Sequence, residues 1–241
     1  MSEKRIFVCT DYDGMYSPFW SALGSCFGGF ERFLKDPESF DLVCYTGGSD
    51  IGPDLYGHDN LRSIANPPRD KKERMIFDLA AELNIPQTGI CRGAQLISSL
   101  SGGTMVQDMR ANHGGHRHST QALDLEEDFF ASSAHHQMIV PGPGAEIYAW
   151  ATQRITVEDC VYDGELPDSV IDELPDSVFD EARVRVTEAI YIPQTRCFGV
   201  QYHPEWMDKG CVAAQWYLGK IRELLWGEQV EKISSVGGSG G

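Results

Sequence analysis

No apolar run in this 241-residue chain approaches the roughly 18–20 residues of a membrane-spanning helix, so no such span is expected. The start of the chain, Met1-Ser2-Glu3-Lys4-Arg5, leads directly into Ile6-Phe7-Val8-Cys9. It lacks the long apolar region and small-residue cleavage site of a signal peptide, and a cytoplasmic location is the expectation. Paired cysteines are missing too. The seven cysteines, at 9, 26, 44, 91, 160, 197 and 211, are odd in number, scattered, and never form C-x-x-C. That argues against a disulfide framework and a cysteine-rich zinc site, and it makes most of them reduced core residues. Positive charge is scarce: 20 basic against 36 acidic residues give a net charge of −16. Such a surface repels nucleic acid phosphate and anionic lipid, so neither nucleic acid nor membrane is expected as a partner, although a small basic pocket is still compatible.

What is present is ordinary for a globular protein, with 41% apolar and 23% charged residues. The length suffices for one large core or two small ones. Residues 5–10 read as a buried strand ending in Asp11-Tyr12-Asp13-Gly14. A helix is expected over 17–35, with Phe19, Leu23, Phe27, Phe30 and Leu34 at helical spacing despite Gly24, Gly28 and Gly29. A second strand, 40–46, runs into Gly47-Gly48-Ser49-Asp50. The segment 51–68 is long and rich in Gly, Pro, Asp and Asn, which suits a functional loop. Pro67-Pro68 opens a helix whose apolar face is Met75, Ile76, Leu79, Ala80 and Leu83, ending at Asn84. The alternation of strand and helix implies a parallel sheet with right-handed crossovers.

Residues 86–95, Pro-Gln-Thr-Gly-Ile-Cys-Arg-Gly-Ala-Gln, read as a buried strand, a tight turn and a helix start. Cys91 sits at the turn with glycine two positions before and after, the thiol form of a nucleophile elbow. Small neighbours relieve a strained backbone, and the helix N–H groups favour a thiolate and a developing oxyanion. By itself the decapeptide is equally a buried cysteine at a glycine-rich join. The helix runs to about Leu100 and stops at Gly102-Gly103. Gln95, four residues on, shares the cysteine's side of that helix. Short antiparallel strands fill 119–165. An acidic near-repeat occupies 165–180, read as a surface insertion. Two further strands, 184–192 and 197–202, follow, the second ending in His203-Pro204-Glu205-Trp206. A last helix, about 208–226, carries Ala213, Tyr217, Ile221 and Leu224 on one face. The Gly/Ser-rich end, 230–241, reads as a flexible tail and the rest, 1–229, as one domain.

A cysteine nucleophile needs a base, and the base an orienting group. His113, His116 and His118 cluster with glycines, but no evident carboxylate or cysteine completes a metal set, and a polar loop is the simpler reading. His203 lies just past an apolar strand, and H-x-E puts it and Glu205 on one strand face. Alone, that pair is a weak signal, and a solvated strand end is the simpler reading.

Taken together, these motifs resemble the class I glutamine amidotransferase superfamily. Gly89-Ile90-Cys91-Arg92-Gly93-Ala94-Gln95 is similar to its nucleophile motif, and Gly199-Val200-Gln201-Tyr202-His203-Pro204-Glu205 to the motif that carries the other two triad members. Within it, the loop Thr46-Gly47-Gly48-Ser49-Asp50-Ile51-Gly52-Pro53-Asp54-Leu55-Tyr56-Gly57 resembles the γ-glutamyl hydrolase group, peptidase family C26, which includes the γ-glutamyl-γ-aminobutyrate hydrolases. Further matches are Arg69-Asp70 with Glu73, Gly102-Gly103-Thr104 with Gln107-Asp108, and His135-His136-Gln137. Ser98-Ser99 departs from the group's usual asparagine-containing run, and the near-repeat has no recognised counterpart.

The resemblance implies a three-layer α/β fold of flavodoxin-like type, with a mostly parallel central sheet flanked by helices and a small antiparallel part. It implies a Cys91–His203–Glu205 triad that hydrolyses a γ-glutamyl amide through a thioester. The backbone N–H groups of Gly48 and Arg92 would form the oxyanion hole, each contributing roughly 3–4 kcal/mol. Gly47, Gln95, Ser133, Ala134 and His135 would contact the substrate. Neither a metal nor an organic cofactor is needed. The leaving group, ammonia or an amine, stays open, as does the choice between a free-standing enzyme, a homodimer, and a glutaminase subunit feeding a separate synthetase. A non-catalytic scaffold and a ThiJ-like protein fit the motifs less well.

Overall fold

The computed structural model describes residues 3–9, 14–110, 117–172 and 183–230. The first strand, β1 (Arg5–Cys9), shows how the layers arise. Its side chains alternate: Ile6 and Val8 join one apolar cluster, Phe7 and Cys9 another. A strand covered on both faces needs apolar residues on both, which is why β1 past the exposed Arg5 reads as an unbroken apolar run, Ile6–Cys9. In the strand Leu42–Tyr45 the pattern repeats, with Leu42 and Cys44 on one side and Val43 and Tyr45 on the other.

In chain order, β1 is followed by α1 (Tyr16–Trp20), β2 (Ser25–Phe27), α2 (Phe30–Lys35), β3 (Leu42–Tyr45), α3 (Pro67–Glu82), β4 (Gln87–Ile90) and α4 (Arg92–Leu100). Then come β5 (Thr104–Val106), β6 (Asp108–Met109), β7 (Arg117–Ala122), β8 (Phe129–Ser132), β9 (Met138–Val140), β10 (Glu146–Thr156), β11 (Cys160–Val161) and β12 (Ile171–Asp172). The chain continues through β13 (Arg183–Ile192), β14 (Cys197–Val200) and α5 (Val212–Lys220). The main sheet runs β2-β1-β3-β4-β14-β13-β10-β7-β8, with β12 also on β13. Pairings from β2 to β14 are parallel; from β13 onward the partners are antiparallel. The antiparallel part is thus a continuation of the central sheet. Aromatic residues of α1 and α5 (Phe19, Trp20, Trp216, Tyr217) fill the core on one face, and α3 and α4 cover the other with Ile76, Phe77, Ala94 and Ile97. Among the described residues no helix is long and apolar enough to cross a membrane.

The structure corrects several local expectations. The single helix over 17–35 is two short helices separated by β2, which adds a parallel edge strand to β1. Glycine's weak helix propensity at Gly24, Gly28 and Gly29 yields here to sheet pairing. On α3 the buried apolar positions are Ile76, Phe77 and Ala80, with Leu79 and Leu83 partly buried beside them, whereas Met75 is 46% exposed. After α5 a π-helical turn, Ile221–Leu225, widens the helix, so Leu225 is fully buried while Leu224 packs partly buried against the same core. The first copy of the acidic near-repeat is tied into the sheet: β12 pairs with β13, Val170 is fully buried, and Asp172 bridges Arg154 and Arg185. The second copy, residues 173–180, lies outside the described residues, as do His113, His116 and residues 231–241.

Candidate active site

The site forms where the parallel strands end. Cys91 follows β4 and is the N-cap of α4, with φ 52° and ψ −109°. Such a backbone costs on the order of 1–3 kcal/mol for a residue with a Cβ, and it persists because its surroundings fix it. The Cys91 N–H donates to the Val200 carbonyl at 2.7 Å. Two glycines let the helix sit close. A methyl on Gly89 would lie 2.3 Å from the Gly93 carbonyl carbon, and one on Gly93 would lie 2.2 Å from the Tyr45 carbonyl oxygen. The spacing of glycine around the cysteine therefore reflects contact between β4, α4 and β3.

His203 follows β14. Its backbone is gripped by a residue of β8: the His203 N–H donates to Ser132 Oγ at 2.8 Å, and Ser132 Oγ–H donates to the His203 carbonyl at 3.1 Å. A one-turn 3₁₀ helix, Pro204–Trp206, then brings Glu205 back onto the ring, where Oε1 accepts from His203 Nδ1 at 2.6 Å. That bond leaves Nε2 for Cys91. The imidazole is buried, and desolvation alone would depress its pKa. Hydrogen bonds and charge from Cys91 and Glu205 outweigh that, raising it to about 9. The indole of Trp206 stacks on the imidazole with centroids 3.7 Å apart and planes 3° from parallel.

The loop after β3 closes the third side. A methyl built on Gly47 would lie 3.0 Å from His203 Cε1, 3.7 Å from Cys91 Cβ and 2.6 Å from the Tyr16 hydroxyl. The Gly47 N–H donates to Tyr16 Oη at 3.1 Å. Burial, and then the charges of Glu205 and Cys91, hold the Tyr16 hydroxyl well above its ordinary pKa, so it stays a neutral phenol. Gly48 has φ 144°, a conformation that a side chain would strain. Arg92, the first residue of α4, directs its backbone N–H out of the helix start, where no intrahelical acceptor exists.

Beneath this loop lies a buried ionic network. The Arg92 guanidinium is inaccessible to solvent and bridges Asp70 and Glu73 on α3. Arg69 Nε donates to Glu73 Oε1 at 2.9 Å, and its terminal nitrogens donate to the carbonyls of Gly47 and Thr46, each at 3.0 Å. Asp70 Oδ2 accepts the Gly52 N–H at 3.0 Å. The residues Arg69, Asp70 and Glu73 thus fasten the glycine loop to α3 and to the residue after Cys91.

The segment 51–68 is also anchored. The Gln107 side chain is buried, accepts the N–H groups of Leu61 at 2.9 Å and Arg62 at 3.1 Å, and donates to the Asp59 carbonyl at 2.7 Å. His136 Nε2 lies 2.9 Å from Asp50 and its Nδ1 3.5 Å from Asp108. Hydrogen bonding to Asp50, chiefly, raises its pKa.

The structure brings Cys91, His203, Glu205, Gly47, Gly48 and Arg92 to one point. Gln95 is buried on α4, with its N–H on the Cys91 carbonyl at 3.1 Å. Ser133 is buried and Ala134 exposed. His135 points inward, its Nδ1–H donating to the Gln137 carbonyl at 2.8 Å and its Nε2 3.5 Å from the buried Glu188 carboxylate, which also meets His118 at 3.0 Å. Tyr16 and Ser132 were not legible as site residues. Tyr16 stands 31 residues from the loop it contacts, and Ser132 differs from its neighbour Ser133 only in strand alternation.

His203 and Glu205 do not share a strand face as expected, because the chain leaves β14 at Val200 and turns through the 3₁₀ helix. A parallel sheet ending in a strained cysteine, with a histidine and a glutamate just past the adjoining strand, defines a glutamine amidotransferase-like α/β protein. The sequence model of the peptidase C26 family matches residues 35–205, and the chain belongs to that family. It is 32% identical over 119 residues to a glutamine amidotransferase-like protein, a YvdE homolog, of Lactococcus lactis subsp. cremoris, covering 41% of this chain and 63% of that one. It is 30% identical over 182 residues to a proposed glutamine amidotransferase of Mycobacterium tuberculosis, covering 70% of this chain and 54% of that one. The match therefore spans less than two thirds of either relative's length. In fold it is similar to a proposed component of GMP synthase from Thermoplasma acidophilum (TM-score 0.61, 13% identity, 94% and 96% of the two chains). It is also similar to a glutamine amidotransferase of Thermotoga maritima (TM-score 0.55, 14% identity, 94% and 90%).

Proposed function

We propose that this protein hydrolyses a γ-glutamyl amide through a thioester on Cys91. The observation that supports this best is the strained cysteine facing an imidazole whose other nitrogen is held by Glu205 at 2.6 Å. Cys91 Sγ attacks the side-chain carbonyl carbon, its proton having passed to His203 Nε2. The oxyanion that forms is met by the N–H groups of Gly48 and Arg92. The C–N bond then breaks, and His203 returns the proton to the departing nitrogen. Water, deprotonated by His203, attacks the thioester; the C–S bond breaks and the thiol is restored with release of glutamate. Gln95, Ser133, Ala134 and His135 are assigned to selection of the glutamyl group. Glu205 fixes the imidazole tautomer throughout.

The test is mass spectrometry of the protein treated with a glutamine-mimicking electrophile, followed by a screen of γ-glutamyl amines. The expected adduct sits on Cys91 and is absent from Cys91→Ala, which keeps the fold and loses turnover. Undiminished turnover by that variant would sink the mechanism.

A second reading is a glutaminase component that delivers ammonia to a synthetase. It draws on the fold's likeness to the Thermoplasma protein described as part of GMP synthase and to a Thermotoga maritima structure described as PurLQS. Rapid turnover by the purified chain favours the free-standing hydrolase. Silence until a partner is added favours ammonia delivery.

A further inference from the structure

The ring of His203 is held from four directions, and one of them has no assigned role. Glu205 takes Nδ1 at 2.6 Å, Gly47 closes on the Cε1 edge, and Cys91 lies at the remaining nitrogen. The fourth is Trp206, whose indole covers one face of the ring at 3.7 Å and 3° from parallel. The contact is built into the local chain. Pro204 starts a 3₁₀ turn, the Trp206 N–H donates to the His203 carbonyl at 3.2 Å, and the indole folds back over the residue three positions earlier. Trp206 is 52% exposed, although burying an indole is strongly favourable and the apolar core lies close by. The side chain serves the imidazole instead of the core.

We propose that Trp206 is a positioning residue for His203: its indole fixes the plane of the imidazole and stabilises the imidazolium while the Cys91 charge is being consumed. The proposal rests on the thioester reading given above. One hydrogen bond from Nδ1 lets the ring tilt about that bond, which would swing Nε2 away from the sulfur; a parallel face contact removes this freedom. Charge acts in the same direction. When Cys91 Sγ bonds to the carbonyl carbon its negative charge passes to the oxyanion, and the imidazolium must survive until it protonates the leaving nitrogen. The titratable groups facing the ring are Cys91 on α4, Glu205 on the turn and Tyr16 on α1. Of these only Glu205 then carries charge, since Tyr16 is held neutral. A π face against the cation is the remaining source of stabilisation, strongest where water is excluded.

The experiment compares Trp206→Phe, which keeps a π face, with Trp206→Leu, which keeps bulk without one. Both are followed by steady-state kinetics on the best γ-glutamyl amide and by NMR titration of the His203 ring. Trp206→Leu is expected to lower kcat by roughly tenfold or more with KM within about twofold. It should also move the His203 titration, and with it the alkaline limb of the rate profile, down by about one pH unit. Trp206→Phe should recover most of both. A wild-type titration and kcat in Trp206→Leu would overturn the proposal. So would a raised KM at unchanged kcat, which would make Trp206 a substrate-contact surface. If the wild-type protein hydrolysed no γ-glutamyl amide, the thioester reading would fail, whereas the NMR titration would still decide whether the indole supports the imidazolium.

Discussion

Gly47 is the residue on which the site's parts converge. Tyr16 receives its N–H, Arg69 binds its carbonyl, and its Cα faces both Cys91 and His203. A single methyl would meet the Tyr16 hydroxyl at 2.6 Å and His203 Cε1 at 3.0 Å. Relief requires moving the loop or the imidazole, and a displacement of about 1 Å in such a site costs on the order of 100-fold in rate. Gly47→Ala is therefore expected to lose roughly that factor in kcat/KM with little change in thermal stability. Adding Tyr16→Phe removes the hydroxyl from the clash and should recover part of the loss, which steady-state kinetics of the double variant would check. No recovery would mean that His203, rather than Tyr16, carries the strain. At this scale the sequence marked Cys91, His203 and Glu205 as candidates only through the joint resemblance of two separated motifs, and the fold sets Glu205 2.6 Å from the His203 ring. The sequence left Tyr16 and Ser132 dark, because each acts through a contact remote in the chain and neither stands in a motif of its own.

Among the elements, α3 does more than cover the sheet. It carries Arg69, Asp70 and Glu73, which hold the glycine loop and neutralise the fully buried Arg92. A buried ion pair adds little net stability over apolar packing, but removing one partner strands a charge in a low-dielectric interior. Glu73→Ala is expected to destabilise the protein by about 3–5 kcal/mol, read from urea unfolding at neutral pH. A loss below about 1 kcal/mol would show that Asp70 alone compensates Arg92. The pattern Arg69-Asp70 with Glu73 was visible as a motif, yet its purpose was not, since nothing in the spacing says that two acids on a helix answer an arginine that follows the nucleophile. The same limit applies to Gln107, whose amide pins the 51–68 loop across 46 residues at Leu61. It applies as well to the helix expected over 17–35, where apolar residues at helical spacing masked an edge strand that only pairing with β1 could create.

For the molecule as a whole, pH is the accessible lever. The His203 imidazole titrates at about 9 in the fold, against an ordinary value near ~6.5. A raised value means that the folded state holds the proton more tightly, so the stabilisation is complete below about pH 6.5 and is lost as pH rises through about 9. The melting temperature of the wild type should exceed that of His203→Gln most at pH 6, and the difference should shrink by pH 9.5. A constant difference across that range would show that the imidazolium is not what the fold stabilises. At the acid end the sign reverses: Arg185 first and Arg154 next hold Asp172 below the usual carboxylate range. That contribution is present at neutral pH and is lost as Asp172 is protonated on acidification.

The sequence by itself determined the alternation of strand and helix, the covered strands of the parallel half, and the tight cysteine turn. These depend on residue type at short range: apolar periodicity, glycine where backbones touch, and proline where helices begin. The tertiary structure alone decided what surrounds that turn. It carried the antiparallel strands outward on the same sheet and set Ser132 against the His203 backbone. It seated Tyr16 under Gly47. Those contacts arise from how layers close in space, and no spacing along the chain encodes them.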